Sequence, residues 1–269
     1  MKEIMYNQSS VLIALVLLGC MVIAIELGYR LGLKAQNSAS ESYRQHIDAV
    51  QTSLLGILAL LIAFTFSIAL QRFDSRSEAV VDEANAIGTA YLRTQLLPTS
   101  VRGEAQQSLR YYLSLRVKAS TIPLDNQIAR DAILLKANQT LNTLWHYAIQ
   151  AAKEDARPVM SGLFIQSLNE LIDSFGRRTA TIDRHVPEAV LFLLCTAFVV
   201  TGSVIGFSVG ITSHRPSFVS YIMVGLIVLL VFIIIDLDHP RRGLIQVSQK
   251  RLIELQSSVN AEQKSDRLK

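Results

Sequence analysis

Four long apolar stretches dominate the pattern along the chain, two on each side of a more polar block at residues 71–185. They cover Val11–Leu27, Leu54–Leu70, Val186–Gly210 and Phe218–Ile235. A helix needs roughly 20 mostly apolar residues to cross the hydrocarbon core of a bilayer. Each stretch meets or approaches this length, and the fourth carries no charged residue. The pattern therefore predicts four membrane-spanning helices.

In the polar block, apolar positions recur at steps of three and four residues, which predicts amphipathic helices. Two such series are Leu134, Ala137, Leu141, Leu144, Ala148 and Met160, Phe164, Leu168, Leu171, Phe175. Three prolines, Pro98, Pro123 and Pro158, stand at or near the predicted helix starts. No segment alternates as a strand would. We expect three or four helices packed as a bundle around Trp145, the first of them continuous with the second span.

The tail has apolar residues at helical spacing and predicts one short helix over Gly243–Leu255, with a frayed polar end beyond it. The predicted fold class is therefore all-α, with four transmembrane helices and a helical bundle inserted between the second and the third. The expected domain limits are 1–70 for the first two spans, 71–185 for the bundle, 186–236 for the last two spans and 237–269 for the tail.

Composition supports a membrane protein with a soluble insert, because 50% of the residues are hydrophobic and 18% are charged. Cys20 and Cys195 both lie in apolar stretches, so no disulfide framework is indicated. Residues 17–20, Leu-Leu-Gly-Cys, resemble a lipoprotein cleavage box. Apolar residues continue directly after Cys20, however, which favours a span over a cleaved signal peptide.

Basic residues near the span ends predict the orientation. With four spans, both termini and the bundle share one side, which carries Lys2, Arg72, Arg76, Arg177, Arg178, Arg184, Arg241, Arg242, Lys250 and Arg251. The opposite side carries only Arg30, Lys34, Arg44 and Arg215. The positive-inside rule therefore predicts cytoplasmic termini and a cytoplasmic bundle in the plasma membrane, the inner membrane of a bacterium. Because topology accounts for the net charge of +4, we expect the lipid bilayer as a partner and no nucleic acid.

The second span carries a narrow stripe of small, hydroxyl and apolar residues. At about 100° per residue, one face collects Ser53, Gly56, Leu60, Phe64, Ser67, Gln71, Asp74 and Glu78. One interpretation is a helix-packing seam, because small and hydroxyl residues let membrane helices approach closely. The other is a pore lining, in which Leu60 and Phe64 form an apolar neck that gates by dewetting. Periodicity alone favours the seam.

The third span contains Gly202, Gly206 and Gly210, a spacing that exposes backbone along one groove and predicts close helix packing. The pattern leaves open whether the facing helix belongs to the same chain or to another subunit.

Charged residues at membrane depth are expensive and invite a functional hypothesis. Glu26 stands one turn before Arg30, which predicts an ion pair. Asp236 and Asp238 end the fourth span just before Arg241 and Arg242. These four residues favour a structural ion-pair cluster at the helix end.

Local enzymatic signatures are missing from the sequence. It has no phosphate-binding glycine loop, no Gly-x-Ser-x-Gly turn and no paired-cysteine metal spacing, and its five histidines are scattered. We therefore expect no catalytic residue, no bound metal and no cofactor, and a protein that is not an enzyme.

Three stretches carry a family resemblance: RFDSRSEAVVDEANAIGTAYLRTQLLP from Arg72, LNELIDSFGRRTA from Leu168 and DLDHPRRGLIQVSQ from Asp236. Together they resemble the bestrophin-like domain, a family of mainly bacterial and plant membrane proteins of unassigned function. The resemblance covers about Val50 to Leu255, which leaves the first span and the extreme tail outside it.

That family name implies a distant likeness to bestrophins, which are pentameric anion channels. Here the likeness is carried by LLGI at Leu54–Ile57 and by the pair Arg72-Phe73. Phe64 is followed by Thr65, where bestrophins typically have arginine, so their anion-selecting residues are not carried over. The resemblance implies that the second span lines an oligomeric pore.

The sequence and the resemblance together predict an oligomeric ion channel for small anions with a hydrophobic neck on the second span. The expected pore-lining residues are Ser53, Gly56, Leu60, Phe64, Ser67 and Gln71. Basic residues near the cytosolic mouth, namely Arg72, Arg76, Arg241 and Arg242, would raise the local anion concentration. The alternative is a non-conducting membrane scaffold or sensor whose bundle binds a protein partner.

Overall fold

The computed structural model describes residues 8–38, 40–122, 126–155, 157–212, 218–238 and 244–266. Eight α-helices lie within these ranges, and no strand does. In chain order they are α1 Ser10–Ala35, α2 Glu41–Arg93, α3 Thr99–Thr121, α4 Gln127–Glu154, α5 Leu163–Ile182, α6 Glu188–Ile211, α7 Phe218–Asp238 and α8 Lys250–Asp266. Four of them, α1, α2, α6 and α7, are long and apolar enough to cross a membrane. The all-helical prediction with four candidate spans is therefore confirmed.

The chain divides into two compact units. The membrane unit comprises residues up to Phe73 together with His185–Ile245, and the bundle unit comprises Asp74–Arg184 together with residues from Gln246 onward. Helix α2 contributes residues to both units. It has 53 residues, which corresponds to about 80 Å at 1.5 Å per residue.

In the membrane unit, α1 packs against α6 and α7. Helix α1 begins at an N-cap, since the Ser9 hydroxyl accepts a hydrogen bond of 3.1 Å from the backbone N–H of Leu12. Its buried side chains, including Met21 and Ile25, meet Phe198 of α6 in an apolar core that also takes in residues of α7. This core also includes Leu58 and Ala69 of α2.

In the bundle unit, α3, α4, α5 and α8 share one core with the C-terminal part of α2. The helical spacing predicted for α4 is confirmed, because Ala137, Leu141, Leu144 and Ala148 are all buried. Trp145 is half-buried against the same core.

Two of the three prolines precede bundle helices as expected. Pro98 is the N-cap residue of α3, and Pro158 opens a short π-helical turn that leads into α5. Pro123 lies outside the described residues.

The predicted tail helix over Gly243–Leu255 is wrong at both ends. Its first residue, Gly243, lies outside the described part of the chain, and no helix covers 244–249. The backbone N–H groups of Leu244 and Ile245 instead donate to the carboxylate of Asp236. Helix α8 begins at Lys250 and continues to Asp266. Of the residues expected to fray, those up to Asp266 are helical, and Val259 among them is buried in the bundle core.

Candidate functional site

The stripe on α2 is exposed along its whole length. All eight of its members are exposed in the folded chain: Ser53, Gly56, Leu60, Phe64, Ser67, Gln71, Asp74 and Glu78. Leu60 and Phe64 are 57% and 62% exposed although they are large apolar side chains. The same face continues through Asp82 and Asn85, which are also exposed. The stripe is therefore not packed against another helix of its own chain.

The packed face of α2 lies on the other side of the helix. In the membrane unit it includes Leu58, Thr65 and Ala69, all of them buried. The Thr65 hydroxyl donates to the carbonyl of Leu61, which satisfies this buried hydroxyl. In the bundle unit the packed face continues through Arg76, Ala79, Val80, Glu83, Ala84 and Ile87.

Arg76, expected as a charge at the cytosolic mouth, is only 4% exposed. Its Nε donates to the carbonyl of Thr181 at 3.2 Å, and its Nη2 donates to the carbonyl of Arg184 at 2.7 Å. These carbonyls stand at and just beyond the C-terminus of α5, where unpaired carbonyls and the helix dipole favour a cation. Arg76 therefore serves the packing of α2 and is withdrawn from solvent.

Of the other basic residues expected at the mouth, only Arg72 lies among the described residues. Arg72 is half-buried, and its Nε has no hydrogen-bond partner among the described residues. Arg241 and Arg242 lie outside the described residues. The exposed charges on the stripe itself are acidic, at Asp74, Glu78 and Asp82.

A buried charge cluster joins α2 to α3 and α5 in the bundle unit. Glu83 is fully buried and accepts hydrogen bonds on both carboxylate oxygens. Arg116 of α3 donates from Nε to Oε1 at 2.6 Å and from Nη2 to Oε2 at 3.1 Å. Arg178 of α5 donates to Oε2, and the Tyr112 hydroxyl donates to Oε1 at 2.7 Å. A second donor of Arg178 reaches the side-chain oxygen of Gln249 at 2.7 Å.

The electrostatics of this cluster point to structure rather than proton transfer. Burial and the charge of Glu83 hold the pKa of Tyr112 well above its ordinary value. Burial lowers the pKa of Arg116, but the charges of Glu83 and Tyr112 and the hydrogen bond to Glu83 together outweigh burial, so the pKa is raised. The guanidinium of Arg116 also lies over the ring of Phe175, with its central carbon 4.9 Å from the ring centroid. Burial acts to raise the pKa of Glu83, but the two arginines hold it below its ordinary value, so the carboxylate stays ionised near neutral pH.

Sequence reasoning missed this cluster, although three of its members stand in the stretches that carry the family resemblance. Glu83 belongs to the first stretch, Arg178 to the second and Gln249 to the third. A signal was present at Glu83, because it occupies an apolar-face position between Val80 and Ile87. A charge at such a position predicts a buried partner of opposite charge, although it cannot name that partner.

The two carboxylates at the end of α7 bind backbone amides. Asp238 accepts from the N–H of Val186, at 3.1 and 3.0 Å to its two oxygens. Asp236 accepts from the N–H of Leu244 at 3.1 Å and of Ile245 at 2.8 Å. The carboxylates do organise this helix end, but through amides, and the arginines expected as partners lie outside the described residues. The predicted ion pair of Glu26 with Arg30 is confirmed at 2.7 Å.

The three glycines of α6 face α1 of the same chain. A Cβ atom added at Gly206 would collide with the backbone of Ile25, and one added at Gly210 would collide with the carbonyl of Tyr29. Helix α1 contributes two further glycines to this contact, Gly28 and Gly32, where a Cβ would meet the α6 backbone in the same way. The contact left open by the sequence is therefore internal to the chain.

Among the described residues, no group of three or more histidine, cysteine, aspartate or glutamate side chains could hold a metal ion.

Comparison with solved structures shows the same fold in bacterial proteins. A variant of a bacterial bestrophin homologue from Klebsiella pneumoniae superposes with a TM-score of 0.63 at 14% identity, over 89% of this chain and 97% of that one. A second variant gives 0.61 at 16% identity, over 88% and 99%. A structure described only as a membrane protein gives 0.62 at 15% identity, over 88% and 97%. No curated protein sequence matches the chain.

The model of the Bestrophin-like domain matches residues 14–252. The match includes most of the first span, which the three sequence stretches had left outside, because it begins within α1. The recognition made from those stretches is confirmed, and the chain belongs to the Bestrophin-like domain family.

Proposed function

We propose that this protein is an oligomeric ion channel whose conduction path is lined by the exposed stripe of α2. The observation that carries the proposal is the exposure of all eight stripe residues, polar ones included. Polar side chains facing hydrocarbon are costly, and those at membrane depth are usually turned towards a water-filled path. Closed rotational symmetry would bring the stripes of several copies around one axis.

Leu60 and Phe64 would form the neck of this path. Both side chains are large, apolar and more than half exposed, and the small residues Gly56 and Ser67 flank them along the stripe. A ring of apolar side chains excludes water from a narrow pore and so blocks ions until it widens.

The proposed orientation follows from the basic residues near the span ends. Both termini and the bundle of residues 71–185 would lie in the cytoplasm, with spans from 1–70 and 186–236 in the plasma membrane and the tail from 237 returning to the cytoplasm. The conduction path would then begin at Ser53, pass the neck and reach the cytoplasm near Gln71.

The charge on the stripe favours cations as the conducted ions. Asp74, Glu78 and Asp82 are exposed beyond the neck, and carboxylates repeated around an axis concentrate cations. Arg76, which supported the expectation of small anions, is buried against carbonyl oxygens. Small anions are the second candidate, supported by the likeness to bestrophins and by Arg241 and Arg242.

The test is current through the purified protein in planar bilayers, for the parent and for the double change Leu60→Ser with Phe64→Ala. We expect the double change to hydrate the neck and to raise conductance by roughly threefold or more. Because both side chains are exposed in the chain, we expect stability to change by less than about 1 kcal/mol.

The matched control removes similar apolar volume at positions of similar exposure on α7. Leu226 and Leu229 are 57% and 52% exposed, and Leu226→Ser with Leu229→Ala should leave conductance unchanged. The sign of the reversal potential in a salt gradient separates cations from anions. A well-assembled neck variant that stays silent under both voltage and salt gradients contradicts the channel, and the scaffold or sensor then becomes the leading function.

A further inference from the structure

Two buried charged residues stand on the packed face of α2, just beyond the membrane unit. Arg76 and Glu83 are 4% and 0% exposed. They are seven residues apart, so they share one side of the helix at a rise of about 10 Å. At about 100° per residue, the acidic stripe of Asp74 and Glu78 lies roughly on the opposite side.

We propose that Arg76 and Glu83 are positioning residues that fix the rotation of α2 about its own axis. They thereby decide which side chains of α2 face the conduction path. The inference rests on the proposed function, because it assigns a role to residues that would never touch an ion.

Rotation of α2 needs such a constraint because its apolar contacts in this region are weakly directional. The neighbours of Glu83 on the packed face are small or aliphatic, at Ala79, Val80 and Ala84. Contacts of this kind depend mainly on buried area and tolerate small rotations. Hydrogen bonds weaken steeply when their angles depart from linear, so a buried polar side chain resists rotation more strongly.

Arg76 supplies the constraint nearer to the neck. Its guanidinium bonds two carbonyls at the end of α5, those of Thr181 and Arg184. A planar guanidinium that serves two acceptors defines a direction as well as a distance. Rotating α2 by one residue, about 100°, would withdraw this charge from both carbonyls.

Glu83 supplies the second constraint two turns further on. Both of its carboxylate oxygens accept hydrogen bonds. Arg116 and Tyr112 of α3 donate to Oε1, whereas Arg116 and Arg178 of α5 donate to Oε2, Arg116 through a second nitrogen. Because donors approach from two different helices, the carboxylate cannot turn towards one without losing the other. The two residues together hold α2 against α3 and α5 with the acidic stripe outward.

The experiment compares two single-cysteine reporters in a background with Cys20→Ala and Cys195→Ala. Glu78→Cys reports the stripe, and Ser77→Cys reports a half-buried position about 100° away. The measured quantity is the ratio of their rates of modification by a charged, water-soluble methanethiosulfonate, in the full-length protein reconstituted into liposomes. We expect Glu78→Cys to react faster in the parent.

Removing the hydrogen bonds of Arg76 or Glu83 should reduce the difference between the modification rates of the two reporters. With Arg76→Met or Glu83→Gln added, we expect the ratio of the two rates to fall by roughly threefold or more, since a rotated helix exposes position 77 and covers position 78. Arg76→Lys keeps the charge but not the planar fork, so its ratio should lie between those of the parent and Arg76→Met.

The matched control is Arg102→Met. Arg102 also donates from Nε and Nη2 to a backbone carbonyl, that of Leu97, but only five residues away at the start of its own helix. This variant loses a similar bond and should keep the parental ratio. A ratio that falls equally in Arg102→Met would show a general loosening and would overturn the positioning role.

An assembled Arg76→Met or Glu83→Gln variant with the parental ratio also overturns it. If neither Arg76→Met nor Glu83→Gln assembles, the Arg76→Lys variant provides the test. A ratio of the two modification rates that equals the parental ratio in Arg76→Lys then overturns the positioning role. Current measured during labelling separates the two proposals. If modification of Glu78→Cys leaves the current of a conducting parent unchanged, the conduction path is assigned wrongly, whereas an unchanged ratio overturns only the positioning role.

Discussion

The two units of this protein hold buried carboxylates with different partners among the described residues. In the membrane unit, Asp236 and Asp238 are 1% exposed and accept hydrogen bonds from backbone amides. In the bundle unit, Glu83 is paired with two arginines and a tyrosine. Backbone amides are available at any residue, whereas arginine partners must be supplied by particular positions on other helices. Among the described residues, the bundle unit therefore holds its carboxylate through particular side chains, whereas the membrane unit holds its two carboxylates through the backbone.

Helix packing also relies on the backbone in the membrane unit and on side chains in the bundle unit. Helix α6 approaches α1 so closely that the backbone at Gly206 touches the backbone of Ile25. Lipid tails are as apolar as the helix surfaces, so such helices gain from close backbone contact rather than from the hydrophobic effect. The bundle unit has a core of large side chains, with Tyr112, Phe164 and Leu144 fully buried. The buried cluster of Glu83, Arg116 and Arg178 adds direction to this core.

The largest expected loss of stability is in the bundle unit, on removal of its buried carboxylate. Glu83→Leu leaves Arg116 and Arg178 buried without a counter-charge, and we expect a loss of about 3–5 kcal/mol in the free energy of unfolding. Glu254→Gln is the control, because Glu254 pairs with Arg251 at the surface of α8 and should cost less than about 1 kcal/mol. Thermal unfolding in detergent measures both. Equal losses in the two variants would show that the cluster is no more important than a surface pair.

The next effect tests the membrane unit. Gly206→Leu forces α6 away from α1, because the new side chain has no space beside the Ile25 backbone. We expect a loss of about 3 kcal/mol or failure of the monomer to fold. Gly225→Leu on α7 is the matched control, since nothing lies within 4 Å of a Cβ at that position. Unchanged thermal stability of Gly206→Leu would contradict the close packing of α1 on α6.

The smallest expected loss of stability tests whether a carboxylate bound by backbone amides contributes less than one paired with arginines. Asp236→Asn keeps one acceptor oxygen but loses the charge and one of two hydrogen bonds to Leu244 and Ile245. We expect a loss of about 1–2 kcal/mol, measured by the same unfolding assay and smaller than that of Glu83→Leu. A loss as large as that of Glu83→Leu would mean that the charge itself, rather than its amide partners, dominates at this helix end.

Much of the fold could be predicted from the chain because its signals are local. The four apolar stretches match α1, α2, α6 and α7, and the three-and-four spacing of Ala137, Leu141 and Leu144 identified a buried face of α4. The tail was placed wrongly because Leu244 and Val247 have helical spacing, while the amides of Leu244 and Ile245 bind Asp236 instead. A competing partner elsewhere in the chain overrode the local pattern.

By itself the sequence determined the number of candidate spans, the helical class, the family and the residues that share one face of α2. These follow from hydrophobic periodicity and from long local motifs, which hold wherever neighbouring parts of the chain lie. Only the tertiary structure decided that this face is exposed, that Arg76 points inward and that Glu83 meets Arg116 and Arg178. A helical pattern states which side chains lie together on a helix, but the side that becomes buried depends on partners brought close only by folding.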